Sequence, residues 1–157
     1  MNKERFIDRL QRISRVRLFK DITEASPESF SQKVYEVVTA HSKAVELLNL
    51  ALKWRQETKL EYEDLKSLTK LQRTKLMIED EFVNDGNKNE KKDRCEYQMR
   101  GLIRNLDEKK NELEEYEALV EMARNVVKDA EIRKQGLNQQ LALYKIKTEV
   151  EVEFGEV

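Results

Sequence analysis

The sequence predicts an all-α fold: a long antiparallel helical hairpin, coiled-coil-like, carrying a short N-terminal amphipathic helix. Three observations predict it. Charged residues make up 39% of the 157-residue chain, against about 25% in ordinary soluble domains. The only proline is Pro27, and there are four glycines, so little interrupts helix over long stretches. Finally, stepping by alternating threes and fours from Met99 meets Leu102, Leu106, Lys109, Leu113, Tyr116, Val120, Ala123, Val127, Ala130, Lys134, Leu137, Leu141 and Tyr144. Twelve of these fourteen are apolar and the residues between them are mostly polar. That is a heptad seam, which keeps one apolar stripe against a partner helix.

Residues 1–25 form the first segment. Phe6, Leu10 and Ile13 share one face of a helical wheel, flanked by Ile7 and Leu18, while Arg5, Arg9, Arg12 and Arg15 project from the other. Arg17 falls among the apolar residues. Ser26–Pro27 then opens the main body, residues 26–148, with a serine N-cap and a proline at the first helical position. No breaker follows until residue 83. Val34, Val37, His41, Ala44, Leu48, Ala51, Arg55, Thr58, Tyr62 and Leu65 give this first long helix, 27–83, its seam. Residues 84–93, NDGNKNEKKD, contain no apolar side chain and read as a polar loop. A second long helix follows over 94–147. Helix, short loop, helix implies antiparallel neighbours. Folding about residue 88 sets Lys134 opposite His41 and Lys109 opposite the polar stretch around Ser67. In the tail, 149–157, Glu alternates with Val150, Val152 and Phe154. Its period of two suggests an extended acidic segment able to join a strand or a neighbouring subunit, and a frayed end is the alternative.

Leu47, Leu48, Leu50, Ala51, Leu52 and Trp54 spread over about 200° of the helical wheel, more than one partner helix covers. Docking of the N-terminal helix, self-association, or both would cover it. Leu47, Leu50, Trp54, Leu119, Met122 and Val126 are the candidate contacts of a homo-oligomer.

Chemistry is sparse. One histidine, His41, and one cysteine, Cys95, supply neither a zinc site nor a Cys/His nucleophile pair. The four glycines are isolated, so no phosphate-cradling loop is present. The expectation is a protein that is not an enzyme, with no metal, no cofactor and no small-molecule substrate. No apolar run approaches the ~18 residues of a membrane span, and a single cysteine forms no internal disulfide. A cytoplasmic protein is expected (the host cytoplasm, if the chain is viral), with no membrane partner. Net charge is −1, yet residues 1–20 carry seven basic side chains against two acidic ones. Arg5, Arg9, Arg12 and Arg15, with Lys88, Lys91, Lys92 and Arg94 in the loop, are candidate phosphate contacts. Phe6, Phe19, Trp54 and Tyr62 lie near cations and would stack on bases if exposed.

The leucine-rich stretch Leu47–Trp54 with Tyr62, the break at 84–93 and the closing run Val126–Tyr144 (VVKDAEIRKQGLNQQLALY) follow one another in an informative order. In the closing run Arg133, Leu137 and Leu141 set an arginine ahead of apolar residues at helical spacing. Over residues 30–145 this order resembles the phage recombination mediators of the UvsY type. The chain departs from that family in its longer second helix, basic N-terminal extension, acidic tail and weak aromatic-and-basic ending. The resemblance implies oligomeric rings that bind single-stranded DNA and load a recombinase onto DNA coated with single-strand-binding protein. The alternative is a coiled-coil scaffold or adaptor, viral or secretion-associated, that binds another protein and no nucleic acid.

Overall fold

The structure is a computed structural model; it describes every residue except Glu24, Glu156 and Val157, with side chains described as far as Val150. Among the described residues there are four helices and no strand: α1 (Lys3–Ser14), α2 (Pro27–Glu79), α3 (Glu81–Asn84) and α4 (Lys88–Gly155). The fold is all-α, with α2 and α4 forming the antiparallel hairpin. The chain divides into two compact units, one of residues 1–51 and 119–157, the other of residues 52–118.

In the first unit α1 joins the ends of α2 and α4. Asn2 caps α1 by accepting the Arg5 N–H through its side chain at 3.0 Å. Phe6, Leu10 and Ile13 are buried, as their spacing requires. In the same unit small residues of the long helices are buried as well: Ala40, Ala44 and Ala51 on α2, Ala123 and Ala130 on α4. Docking of α1 answers the over-wide apolar arc of α2. Leu47 is buried here and Leu50 half-buried, so α1 of the same chain is what covers that section.

The helix over residues 1–25 is shorter than the wheel suggests. It stops at Ser14, where Arg133 of α4 donates from Nη1 to Ile13 O (3.0 Å) and from Nη2 to Ser14 O (3.2 Å). Both carbonyls belong to the last turn of the helix, which lacks i+4 donors; Ile13 O also accepts the Val16 N–H at 3.2 Å. Arg17 then lies beyond the helix and donates to Ser14 O at 2.7 Å, which explains its misfit on the wheel. From Arg15 the chain becomes an irregular strap whose Val16, Leu18, Phe19, Ile22 and Ala25 pack on Phe30, Val37 and Leu137. Gln140 Nε2 and Lys147 Nζ tether it by donating to Phe19 O and Thr23 O at 2.8 and 2.6 Å. Asp21 accepts both the Thr23 hydroxyl and the Thr23 N–H, which hold its carboxyl below the usual carboxylate range.

Ser26 and Pro27 begin α2 as the sequence predicts. Ser26 Oγ accepts the Ser29 N–H (3.2 Å) and Ser29 Oγ accepts the Ser26 N–H (2.9 Å). This reciprocal arrangement is a capping box with serine in the glutamate's place.

In the second unit α2 pairs with α4, and α3 packs beside the turn. Trp54 meets Tyr116 at 5.7 Å between ring centroids, and Val83, Cys95 and Met99 form a buried cluster beside the turn. The predicted loop over 84–93 is here only Asp85 to Asn87. Asn87 Oδ1 accepts the Asn89 and Glu90 N–H groups at 3.1 Å, while Glu90 Oε2 accepts the Asn87 N–H at 3.0 Å. Asn87-Lys88-Asn89-Glu90 is therefore a capping box, and the charged residues after it are the exposed first turns of α4. The first long helix is also interrupted earlier than predicted: α2 ends at Glu79, and Asp80 caps the separate α3 by accepting the Val83 N–H.

Register shifts with the loop. The pairs Phe30–Tyr144, Trp54–Tyr116 and Glu61–Lys109 are centred on residues 85 to 87 rather than on 88. Lys109 consequently meets Glu61, six residues from Ser67. Lys134 is exposed rather than in the seam; Arg133, one place earlier, is the side chain turned inward. The tail expectation is corrected as well, because α4 continues to Gly155. No proline stands in its way, and extending an established helix is cheap where nucleating one is not. The end of that tail, Glu156 and Val157, lies outside the described residues.

Gly86 sits between α3 and α4 at φ +93°, in the left-handed region. A Cβ there would press into the Glu90 carboxylate that closes the capping box. Gly86→Ala is expected to cost about 1–2 kcal/mol from backbone handedness, visible as a lower denaturation midpoint with unchanged helicity.

Lys109 Nζ bridges Glu112 (2.7 Å) and Glu61 (2.8 Å), and those two hydrogen bonds, Glu112 first, raise its pKa. A raised folded-state value means that the contribution is complete below the unfolded lysine's value of about 10.4 and fades as pH climbs through the folded value. Lys109→Met is therefore expected to melt below wild type at neutral pH, the gap closing only above about pH 10.4. Thermal scans from pH 7 to 11.5 check this.

Candidate functional site

The eight basic residues singled out in the sequence fall into two groups. At the turn, Arg94 Nη1 donates to Phe82 O and Asp85 O, both at 3.0 Å, and its guanidinium stacks over the Phe82 ring at 4.9 Å. Lys91 Nζ donates to Asn84 Oδ1 at 3.0 Å. Both side chains hold α3 against the start of α4, which is a structural task. Lys92 lies 3.9 Å from Glu96 one turn on, and Lys88 is exposed. The turn is thus a clamp with two cations at its edge.

Arg5, Arg9 and Arg12 on α1 and Arg15 just beyond it are all exposed, because the buried face of the helix is taken by Phe6, Leu10 and Ile13. Arg12 makes a loose exposed pair with Asp8 at 3.4 Å. Arg9 and Arg12 border a groove of about 670 Å³ between α1 and α2. Its apolar floor includes Ile13, Val16, Ala40, Leu47 and Leu50, and its α2 wall carries Tyr35, Thr39 and Lys43. Tyr35 is 72% exposed. Glu36 and Glu46 also line it, and Glu36 is neutralised by Lys33 at 2.7 Å. Three cations and one open aromatic ring thus share a groove of a size that accepts a small ligand or part of a chain. Such a groove can hold a flat ring against Tyr35 and a phosphate between guanidinium groups.

Tyr35 was not among the aromatics expected to stack. The four that were are committed elsewhere. Phe6 is buried, Phe19 packs on Phe30 at 4.7 Å, Trp54 faces Tyr116, and Tyr62 is half-buried with Lys66 over its ring at 5.9 Å. A usable signal existed: Tyr35, Thr39 and Lys43 recur every fourth residue, off the Val34–Val37–His41 seam.

Of the candidate oligomer contacts, Leu47 and Leu119 are buried within the single chain and offer no surface. Leu50 lines the groove, Trp54 packs on Tyr116, Val126 is half-buried and Met122 is exposed. The patch that suggested self-association is mostly filled from within, by α1 in one unit and by Tyr116 in the other.

Among the described residues no cluster of three or more His, Cys, Asp or Glu side chains is placed to hold a metal. Cys95 is buried beside Met99. No described helix is long and apolar enough to cross a membrane.

Comparison with family models, with curated proteins and with solved structures finds no match to this chain.

Proposed function

We propose that this is a non-enzymatic, oligomeric helical-hairpin protein that binds single-stranded nucleic acid, acting as a mediator in recombination or replication. The observation that carries the binding is the groove between α1 and α2, whose lining includes Arg9, Arg12 and Lys43 and the exposed side chain of Tyr35. Sequence-tolerant binding of single strands needs this pairing of cations for the backbone with an aromatic face for a base. Arg5, one turn earlier on α1, and Arg15, at its C-cap, are exposed on either side of Arg9 and Arg12. In a mediator the same assembly would also meet a recombinase or a single-strand-binding protein, and that part of the proposal rests on the resemblance to UvsY-type proteins.

The test is fluorescence anisotropy of a labelled oligothymidylate titrated across salt. Affinity should fall steeply with salt, with a log–log slope of about −0.7 per phosphate contacted. Arg9→Ala/Arg12→Ala should reduce that slope, whereas Tyr35→Ala should weaken binding by ~1–3 kcal/mol with the slope kept. Absence of binding at ~50 mM salt would remove the proposal.

The second reading, an adaptor that binds another protein, is favoured by a separate observation. Ile132, Leu143, Ile146 and Val150 on α4 are all substantially exposed. Their spacing keeps them on one side of the helix. A stoichiometric protein recovered with the chain from native extract, free of nucleic acid, would select it.

A further inference from the structure

The α2 wall of the groove contains one continuous row. Tyr35, Thr39, Lys43, Glu46 and Leu50 follow one another by fours and threes, and all of them line it. Tyr35 offers a ring and Lys43 a charge to a bound strand. Glu46 is the member that phosphate binding and stacking leave unused. It is exposed, it lies one turn from Lys43 without pairing with it, and among the described residues no other cation neutralises it. Glu36, the other carboxylate of the lining, is by contrast held by Lys33 at 2.7 Å. An unpaired carboxylate beside Arg9, Arg12 and Lys43 repels the phosphates that those cations attract. That repulsion is offset only where the carboxylate meets a hydrogen-bond donor of the ligand.

We infer that Glu46 reads a nucleobase, and that the base it favours is guanine. An ionised carboxylate accepts hydrogen bonds and donates none, so it chooses among bases by their donors. On its pairing edge guanine carries two adjacent donors, N1–H and the N2 amino group, spaced to meet both carboxylate oxygens. Cytosine and adenine present one amino donor there, beside a ring nitrogen that is itself an acceptor. Thymine presents N3–H between two carbonyl oxygens, which repel the carboxylate. Two parallel bonds to a charged acceptor are the strong and geometrically selective arrangement. Glu46 lies about 16 Å along α2 from Tyr35. The base that it meets is therefore not the one stacked on the ring but another, several nucleotides away at about 3.4 Å per stacked step. Lys43, about 4.5 Å before it along the helix, is placed to hold a neighbouring phosphate. Leu47 and Leu50, which follow in the lining, give the flat side of the base an apolar surface. The preference is a difference of affinities, part of it rejection of the wrong base: thymine leaves the carboxylate unpaired near phosphates, and guanine pairs it. This inference rests on the proposed single-strand binding in the groove and adds base selection to it.

Fluorescence anisotropy of the full chain with three single-stranded probes of equal length tests it. One is all thymine, one alternates guanine with thymine, and one alternates inosine, which is guanine without the N2 amino group, with thymine. The guanine probe should bind at least about fivefold tighter than the thymine probe, and the inosine probe should lose most of that gain. Glu46→Ala, an exposed change, should weaken the guanine probe, strengthen the thymine probe and bring their ratio to about one. Equal affinities of the wild type for guanine and thymine probes overturn the inference and leave single-strand binding standing. So does an inosine probe as tight as the guanine probe, or a guanine preference that persists in Glu46→Ala. No binding of any probe at ~50 mM salt removes the proposed function and this inference with it.

Discussion

Phe30→Ala will destabilise the fold by about 3–5 kcal/mol, the range for losing a buried aromatic side chain. Phe30 is 3% exposed and is the hinge of the first unit's closed end. Its ring lies 4.7 Å from Phe19 of the strap and 4.6 Å from Tyr144 of α4, and it clusters with Val37 and Leu137. Truncation removes two aromatic contacts and leaves a cavity where three segments meet. The strap has no secondary structure of its own, so it cannot collapse into the void as a helix could shift. Gly136 already marks how close the approach is, since a Cβ there would come within 2.7 Å of Leu18 Cδ1. Thermal denaturation followed by circular dichroism should show a midpoint lower by roughly 10 °C. Phe30→Leu, which refills most of the volume, should lose less than half as much.

Phe6→Ala will release α1 from the first unit. The helix has 12 residues and is marginal alone in water. Docking depends on burying Phe6, Leu10 and Ile13, and truncating the largest of the three removes about 3–5 kcal/mol of that packing. The two hydrogen bonds from Arg133 act only while α1 is seated. Hydrogen exchange should show the amides of α1 losing protection together, while α2 and α4 keep theirs. Helicity should fall by about one α1's worth and no more. Because α1 forms one wall of the groove, the same variant should lose oligonucleotide binding while the pairing of α2 and α4 survives.

Several features were readable from the residues because they rest on local, repeated signals. The seam from Met99 to Tyr144 is buried or half-buried at every position except Lys134. Ser26–Pro27 opens α2 because a hydroxyl cap and a fixed φ are both specified by the residues themselves. The turn was misjudged because Asn, Gly and charge density outweighed a four-residue signal, Asn87 to Glu90. Lysine and glutamate are as much at home on an exposed helix as in a loop. The strap was missed because Val16 to Ala25 has no period: its apolar residues are placed by Phe30 and Leu137, which lie far away in sequence. At the site, the outward arginines of α1 followed from its buried face, whereas Tyr35 and Lys43 join them only because α1 docks on that side of α2. Tertiary docking decided that, and no spacing within α1 encodes it.

The proposed function requires the α1–α2 groove to bind a single strand. Light scattering of the full chain with and without a single-stranded oligonucleotide tests this most directly. At ~50 mM salt the mass should rise by bound nucleic acid, and the increment should disappear on raising salt or in Arg9→Ala/Arg12→Ala/Tyr35→Ala. A mass identical with and without the oligonucleotide at ~50 mM salt contradicts it.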